Sequence, residues 1–375
     1  MQNQEKSDLL KFNTQLIQYP SVTPNESGSL DFIEAHLVEL GFSTKRYNRN
    51  QTSNLFAYRS KHSRLLFCGH VDVVPPGPVE SWTHPPFSGH ISDNRIYGRG
   101  AVDMKSSISA FVCALSRISP YEPSTAILLT SDEEGEAKDG VQFAIERIHA
   151  EGYLFDQALV GEPTSVDKLG DTIKIGRRGS LTGILYLHGK PGHVAYHHLA
   201  QNPIPAACKI ITSCSEKAWD QASEYFPQTS CVCTTLSSKS LAGNMTPSDC
   251  HIQINFRYAP GLTAENIQES TEHIIQKNWD APYTLSWHIS AQPFLSTVGS
   301  LYDSMVKAIY TITHNKATLS TSGGTSDARF LHAYINEIVE LGPLNATAHQ
   351  VDEHIPIEDL VSLSEIYETL LRHLR

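Results

Sequence analysis

The sequence lacks any run of 18 apolar residues, and its polar first six residues are followed by no apolar segment. This pattern predicts neither a membrane-spanning helix nor a secretion signal, so we expect a cytoplasmic protein. Positive charge is also scarce, since 29 lysines and arginines oppose 40 aspartates and glutamates, a formal net charge of −11. Such a surface repels nucleic acids and anionic membranes, and neither is expected as a partner.

Cysteine is sparse and odd in number, with seven residues in the chain. Most lie in apolar stretches, as Cys68, Cys113 and Cys208 do, and we interpret them as reduced thiols of the core. Cys231 and Cys233 form a close pair, but their spacing suits neither a zinc knuckle nor a redox dithiol. We therefore expect no metal site built from cysteines.

The length of 375 residues exceeds what one core usually supports, so two domains are expected. Amphipathic helices are predicted at 5–19 and 26–40, the second closed by Gly41. Further along, apolar β-type runs (64–68, 125–129, 158–160 and 337–341) occur together with helix-like stretches (105–118 and 141–150). Strands alternating with helices predict an α/β fold with a parallel or mixed sheet covered on both faces.

The middle of the chain follows a different order. Strands are predicted at 181–188, 232–236, 249–257 and 283–290, and helices at 203–219 and 265–278. This β-α-β-β-α-β order is that of a ferredoxin-like α+β unit. The sequence thus predicts one α/β domain of residues 1–177 and 292–375, interrupted by an inserted domain of residues 178–291.

Five residues in the predicted α/β domain have side chains typical of zinc ligands: His70, Asp103, Glu134, Glu162 and His349. His70, Glu134 and Glu162 follow predicted strands, and open α/β sheets bind ligands beyond the carboxyl ends of their strands. Two imidazoles and three carboxylates suit two Zn²⁺ ions with one carboxylate bridging. Together with one hydroxide, the three carboxylates balance the charge of the two ions.

Two further acidic residues are candidates for the chemistry. Glu133 precedes Glu134 and is the natural general base, although the acidic run 132–134 also fits a solvated loop. Asp72, two residues after His70, is placed to accept the second N–H of that imidazole and fix its tautomer. Its alternative is a turn residue before the Pro-Pro-Gly run at 75–77.

Several runs of the chain match a known family. They are GHVDVVPPG (69–77), GRGAVDMK (98–105), TSDEEG (130–135), VGEPT (160–164) and NATAHQVDEH (345–354). This set resembles the M20 family of dizinc aminoacylases and peptidases, from about residue 60 to 354. The resemblance implies that His70 and Glu162 hold one Zn²⁺, that Glu134 and His349 hold the other, and that Asp103 bridges them. It also implies Co²⁺ as a substitute, a cis peptide after Asp103, and the base and orienting residues named above.

Other runs narrow the resemblance to one branch of the family. They are IGRRGSL (175–181), GKPGHVAYHHLAQNPI (189–204), AGNMTP (242–247), INFR (254–257) and SGGTSDARF (322–330). The resemblance to this branch implies hydrolysis of N-succinyl-LL-2,6-diaminopimelate to succinate and LL-2,6-diaminopimelate. His193 resembles the residue that polarises the scissile carbonyl from the opposite subunit, which implies a homodimer joined through the inserted domain. His197 and Met245 depart from the commonest pattern.

A substrate with three carboxylates must be bound by local positive charge in so acidic a protein. Arg177, Arg178 and Arg257 are candidates, since a guanidinium can bind a carboxylate with two hydrogen bonds. Gly324 and Thr325 could add donors in a nest-like turn. The resemblance implies three more contacts, from Ser180, Tyr196 and Asn244. Interdomain salt bridges are the alternative role for any one of the arginines.

Two other functions stay open at this point. The chain could be another deacylase of the family, such as an acetylornithine deacetylase, or a dipeptidase. It could also be a non-catalytic binding protein on the same scaffold, but such a protein would normally lack a ligand or the base, and this sequence has all of them.

Overall fold

The structure is a computed structural model that describes residues 1–118 and 124–374. It divides into two compact units, the first of Met1–Gly176, Ser296–Ser320 and Ser326–Arg375 and the second of Arg177–Leu295 and Thr321–Thr325. The short segment Thr321–Thr325, assigned above to the α/β domain, thus groups with the other unit. One contact that joins this segment to the second unit is the hydrogen bond from Arg177 Nη1 to the carbonyl oxygen of Gly324, at 3.3 Å.

The elements follow one another along the chain as three successive groups. The first is α1 (Asn3–Ile17), α2 (Ser29–Glu39), β1 (Ser43–Arg46), β2 (Asn54–Tyr58), β3 (His62–His70), β4 (His90–Ser92), β5 (Arg95–Tyr97), α3 (Lys105–Leu115), β6 (Thr125–Thr130), α4 (Val141–Ala150), β7 (Leu154–Val160) and β8 (Thr172–Lys174). The second is β9 (Gly176–Arg177), β10 (Gly179–His188), α5 (Pro203–Glu216), β11 (Ser230–Ser237), β12 (Asp249–Tyr258), α6 (Ala264–Asn278), β13 (Tyr283–Ala291) and β14 (Phe294–Leu295). The third is α7 (Ser300–Thr313), β15 (Thr318–Ser320), α8 (Ala328–Leu331), β16 (Glu337–Glu340), β17 (His354–Pro356) and α9 (Ile357–His373).

The first unit is built on an eight-stranded sheet in the order β1-β2-β6-β3-β7-β16-β8-β15. Strand β3 runs parallel to both of its neighbours, β6 and β7, whereas β1, β2 and β6 pair antiparallel. Every residue of β6 is buried, as expected of a strand covered on both faces, and this explains its unbroken apolar run. Helices α1 and α9 pack against α3. The predicted α/β fold with a mixed sheet is therefore confirmed.

The second unit contains a four-stranded antiparallel sheet in the order β11-β12-β10-β13. Alternate residues of β12 are buried, so one face of this sheet lies on a core shared with α5 and α6. The chain order β10-α5-β11-β12-α6-β13 confirms the predicted ferredoxin-like unit.

The seven cysteines are all free thiols, but they do not all lie in the core. Cys68 is buried and Cys113 is partly buried, whereas Cys208 is exposed. The core prediction is wrong for Cys208. The buried face of helix α5 carries Ala207, Ile210 and Cys214 at helical spacing, and Cys208, one position after Ala207, lies outside that face.

Two peptide bonds of the chain are cis among the described residues. These are Thr23–Pro24 and Asp103–Met104, and the second is the one expected from the family motifs.

No helix among residues 1–118 and 124–374 has both the length and the apolar character to cross a membrane.

Candidate active site

Three adjacent parallel strands bring three of the candidate ligands to one edge of the main sheet. His70 is the last residue of β3 and pairs in register with Thr130, the last residue of β6. Glu134 follows β6 by four residues, and Glu162 follows Val160, the end of β7, by two. Because the carboxyl ends of parallel strands meet at one edge, these side chains converge.

Asp103 lies between the two candidate histidine ligands. Its Oδ1 is 3.1 Å from His70 Nε2, and its Oδ2 is 3.3 Å from His349 Nε2. Each imidazole also faces a further carboxylate, Glu162 Oε1 at 3.7 Å from His70 and Glu134 Oε1 at 2.7 Å from His349. Two ligand atoms bonded to one tetrahedral zinc lie about 3.3 Å apart, so the contacts of Asp103 with the two imidazoles have the separation expected of atoms that bind a common metal ion.

The buried negative charge of this cluster favours the binding of cations. Glu162 Oε1 is buried and has no hydrogen-bond partner among the described residues. Burial raises the pKa of Glu162 well above its usual range, and the charges of Asp103 and Glu133 raise it further. Ligand atoms of His70, Asp103 and Glu134 all lie within 4.8 Å of one another. Buried, mutually repelling carboxylates beside two imidazoles fit a pair of divalent metal ions.

Asp72 contacts His70 in a different way from the one expected. The Nδ1 atom of His70 lies 2.9 Å from the main-chain carbonyl oxygen of Asp72, whereas Asp72 Oδ1 is 3.6 Å away. A ring that donates from Nδ1 presents the lone pair of Nε2 to a metal. The Asp72 carboxylate instead accepts the main-chain N–H of Glu133 at 3.3 Å and of Glu134 at 3.0 Å, so it holds the turn that carries both glutamates.

Glu133 lies in the same acidic surroundings. Burial is the main cause of its raised pKa, and the nearby charges of Asp327, Glu134 and Asp103 add to it. Asp327, which the sequence analysis does not assign, is buried, and neither of its carboxylate oxygens has a hydrogen-bond partner among the described residues. Burial raises the pKa of Asp327 to about 7. Its position in the SGGTSDARF run was the signal available in the sequence.

Two more residues were missed, Arg99 and Glu353. Both are buried, and the carboxylate of Glu353 accepts the main-chain N–H of Asp103 at 3.1 Å. Each lies four residues from a candidate ligand, inside a run that carries the family resemblance. Their closeness in sequence to candidate ligands could therefore have indicated that these two charged residues support the site.

The second unit brings together His193, Asn244 and Tyr196. His193 Nδ1 accepts the main-chain N–H of Ala195 at 3.1 Å, so the proton of the neutral ring resides on Nε2. Asn244 Nδ2 lies 3.4 Å from that Nε2, but both groups are donors in this tautomer and do not hydrogen-bond to each other. The Tyr196 ring is 5.9 Å from the imidazole, centroid to centroid. His193 therefore presents a donor from Nε2.

The candidate substrate-binding residues form a second group in this unit. Ser180 and Arg257 are register partners on β10 and β12. Arg178 Nε is buried without a hydrogen-bond partner among the described residues, and burial lowers the pKa of Arg178, with the charge of Arg257 lowering it further. Two neighbouring guanidiniums of this kind favour an anion. Arg177 is buried and contacts Gly324, as described above, and Thr325, the next residue, is partly buried.

Comparison with known proteins extends these observations. A family model described as Peptidase family M20/M25/M40 matches residues 66–373. A succinyl-diaminopimelate desuccinylase from Thiobacillus denitrificans is 42% identical over 373 residues, which cover 98% of this chain and 95% of the relative.

Solved structures show the same fold. An M20 family metallo-carboxypeptidase from Sulfolobus solfataricus superposes with a TM-score of 0.80 at 17% identity, over 98% of this chain and 99% of that one. A dinuclear metal-binding peptidase of the M20 family from Bacillus subtilis has a TM-score of 0.70 at 13% identity, over 99% and 98% of the two chains. The family match spans all the candidate ligands from His70 to His349. This chain belongs to the M20 family of peptidases.

Proposed function

We propose that this chain is a metal-dependent amide hydrolase that cleaves N-succinyl-LL-2,6-diaminopimelate to succinate and LL-2,6-diaminopimelate, a step of lysine and diaminopimelate biosynthesis. The observation that carries the hydrolase assignment is the placement of Asp103 between His70 and His349, with one further carboxylate beside each imidazole. The full-length similarity to the Thiobacillus denitrificans desuccinylase supports the substrate. The free thiols support a reducing, cytoplasmic location.

His70 and Glu162 would hold one Zn²⁺, Glu134 and His349 would hold the other, and Asp103 would be shared by the two, with Co²⁺ able to replace Zn²⁺. The contacts between each imidazole and its carboxylate support this pairing. Metal ions bound by these residues would polarise the amide carbonyl and would lower the pKa of a water molecule to about 7.

Glu133 is the general base. It takes a proton from the attacking water as the new C–O bond forms and delivers it to the amide nitrogen as the C–N bond breaks. Asp72 assists by holding the main chain of Glu133 and Glu134 through two N–H···O hydrogen bonds.

His193 polarises the scissile carbonyl by donating a hydrogen bond from its Nε2–H to the carbonyl oxygen, and it does so from the partner subunit of a homodimer. The N–H of Ala195 supports this role because it leaves Nε2 as the donor. Strands β11 and β13 are the edges of the sheet in the second unit, and pairing of such edges across a two-fold axis would cover them.

Arginines bind the carboxylates of the substrate. Arg178 and Arg257 supply the positive charge that the protein as a whole lacks, and Arg177 holds the segment of Gly324 and Thr325. The remaining polar contacts to the substrate come from Ser180, Tyr196 and Asn244. The unpartnered Nε of Arg178 supports this arrangement.

Removing the metal should abolish succinate release and lower the thermal midpoint of unfolding, because the buried carboxylates then repel one another. A ligand whose free concentration is 1,000 times its Kd stabilises the folded state by about 4 kcal/mol, and chelation of the metal removes a contribution of this kind. The chelated protein is assayed and melted before and after adding Zn²⁺, Co²⁺ or Mg²⁺. Zn²⁺ and Co²⁺ should restore both properties, but Mg²⁺, which requires octahedral oxygen coordination, should not. Full activity in protein shown to be metal-free would refute the proposal.

Mixing two inactive variants, His193→Ala and Glu133→Gln, should restore activity if His193 acts across the subunit boundary. One of the two sites in each hybrid dimer then has both groups intact, so random exchange gives roughly a quarter of wild-type activity. Succinate release is measured after subunit exchange has been verified. The control is the pair Glu133→Gln and Asp103→Asn. Both residues belong to the first unit of the same chain, so every site of the hybrid dimer lacks one of them, and no activity should return. No recovery in the first mixture would mean that His193 does not act across the boundary.

A further inference from the structure

A buried ion pair joins the two segments that carry Asp103 and His349. Arg99 lies four residues before Asp103, and Glu353 lies four residues after His349. The side chains are 3% and 0% exposed, and Arg99 Nη1 is 2.8 Å from Glu353 Oε2. The partners are 254 positions apart in the chain, so the pair is a contact between segments and not a local turn.

The Glu353 carboxylate binds the main chain of the Asp103 segment. Its Oε1 accepts the N–H of Val102 at 2.8 Å and the N–H of Asp103 at 3.1 Å. Its Oε2 accepts the N–H of Gly100 at 3.1 Å in addition to the Arg99 guanidinium. With two donors on each oxygen, the acceptor capacity of the carboxylate is filled.

Arg99 binds the other segment in return. Its Nη1 donates to the carbonyl oxygen of Gln350 at 3.1 Å, and its Nη2 approaches that of His349 at 3.4 Å. The guanidinium carbon also lies 5.1 Å from the ring centroid of Trp82. His349 has a φ of +61°, a left-handed conformation that is unfavourable for a residue with a side chain, so contacts of this kind help to hold it.

We propose that Arg99 and Glu353 form a reciprocal clamp that sets the separation of Asp103 and His349 and thereby the affinity of the metal position these two residues share. Both are positioning residues, because each acts through the main chain of a ligand and not on the metal. The inference rests on the proposed function only in taking Asp103 and His349 as ligands. Loss of a group that orients a ligand typically weakens metal binding about 10–100-fold.

Glu353→Gln tests the clamp with little change in shape. Each carboxylate oxygen of Glu353 receives two donors, so either orientation of an amide directs its NH₂ group at two N–H donors. Arg99→Lys is the second variant. It keeps the charge, but a single ammonium lacks the planar fork that reaches Glu353 and two carbonyl oxygens together.

The chain offers a matched control in the pair Arg117 and Glu368. Arg117 Nε lies 2.6 Å from Glu368 Oε2, and Arg117 also donates to the carbonyl oxygens of Cys113 at 2.9 Å and Ser364 at 3.1 Å. This pair is also an arginine and a glutamate of the first unit, with Arg117 two residues past the end of α3 and Glu368 in α9. Glu368 pairs with Arg372 as well, at 2.8 Å, and among the described residues neither side chain hydrogen-bonds to a candidate ligand. Glu368→Gln therefore reports the cost of breaking such a pair away from the site.

The experiment titrates metal-free protein with Co²⁺, followed by calorimetry and visible absorption, and records the thermal midpoint of each metal-free variant. Wild type should bind two ions. Glu353→Gln and Arg99→Lys should bind one of them about 10–100-fold more weakly with an altered cobalt spectrum, while the other changes little. Glu368→Gln should bind both as wild type does, even with a lowered midpoint.

Wild-type binding of both ions by Glu353→Gln and Arg99→Lys would overturn the clamp, as would an equal loss of affinity in Glu368→Gln. If Glu353→Gln does not fold, the result for Arg99→Lys decides. A wild-type protein that binds no Co²⁺ would refute the metal centre itself, which separates failure of the proposed function from failure of the clamp.

Discussion

Glu133→Gln should lose turnover by about 10²–10⁴-fold or more while both metal ions stay bound. Glutamine keeps the length and the hydrogen-bonding reach of Glu133 but cannot accept a proton. The loss should exceed that of a typical general base, because Glu133 also delivers the proton to the leaving nitrogen. Its main-chain N–H, held by Asp72, is untouched by the substitution, so the turn is preserved.

The neighbouring Glu134→Gln is the matched comparison. Glu134 faces His349 at 2.7 Å as a proposed ligand, so this variant should lose metal as well as activity. Turnover and metal content, by elemental analysis, are measured on both variants. Loss of metal in Glu133→Gln with retention in Glu134→Gln would reverse the two assignments. Near-normal turnover in Glu133→Gln would remove that residue from the mechanism.

N-succinyl-LL-2,6-diaminopimelate should be preferred over acetylornithine by about 10⁴-fold or more in kcat/KM. An acetyl group lacks the terminal carboxylate of a succinyl group, so the guanidinium donors that it would pair with stay desolvated and unpaired. Arg178 is already partly buried, beside a second positive charge on Arg257, and its Nε has no hydrogen-bond partner in the part of the chain that the structure describes. In the complex with acetylornithine these guanidiniums would have no carboxylate to pair with, and the free-energy cost of leaving them unpaired is the source of the preference for the succinylated substrate.

The test is a side-by-side measurement of kcat/KM on the two substrates with the same metal-loaded protein. Arg178→Lys serves as the comparison variant, because it keeps the charge but loses the two-point contact with a carboxylate. It should lower the value for the succinylated substrate and leave that for the acetylated one near its starting level. Comparable kcat/KM for both substrates in wild type would leave only a broader metal-dependent deacylase.

The parts of the fold that could be predicted from sequence are those with strong local patterns. Strands β3, β6 and β7 each contain a short buried apolar run, and the second unit shows clear alternation and helical spacing. Strands β4, β5 and β17 have three residues each, too few for a period to emerge, and β17 pairs with β5 from the far end of the chain. Helix α9 buries residues at helical spacing and was predictable, although no element after 341 is assigned above.

The candidate ligands could be predicted because three of them follow buried strands. The contacts around them could not. Asp72 satisfies His70 through its carbonyl oxygen and directs its carboxylate to Glu133 and Glu134, a choice set by the turn after β6. The partners of Glu353 lie about 250 positions away, and no local pattern encodes such a contact.

The place of β16 in the sheet has a consequence for biosynthesis. This strand lies between β7 and β8 but is the sixteenth in the chain, so β7 has an unpaired edge until Glu337–Glu340 has been translated. At 5–20 residues per second, roughly 10–40 s separate synthesis of Glu162 from that of His349. A nascent chain that holds His70, Asp103, Glu134 and Glu162 thus waits with an open strand edge and an incomplete set of candidate ligands. If these residues bind metal as proposed, metal capture should complete folding only after the segment that carries His349 has left the ribosome.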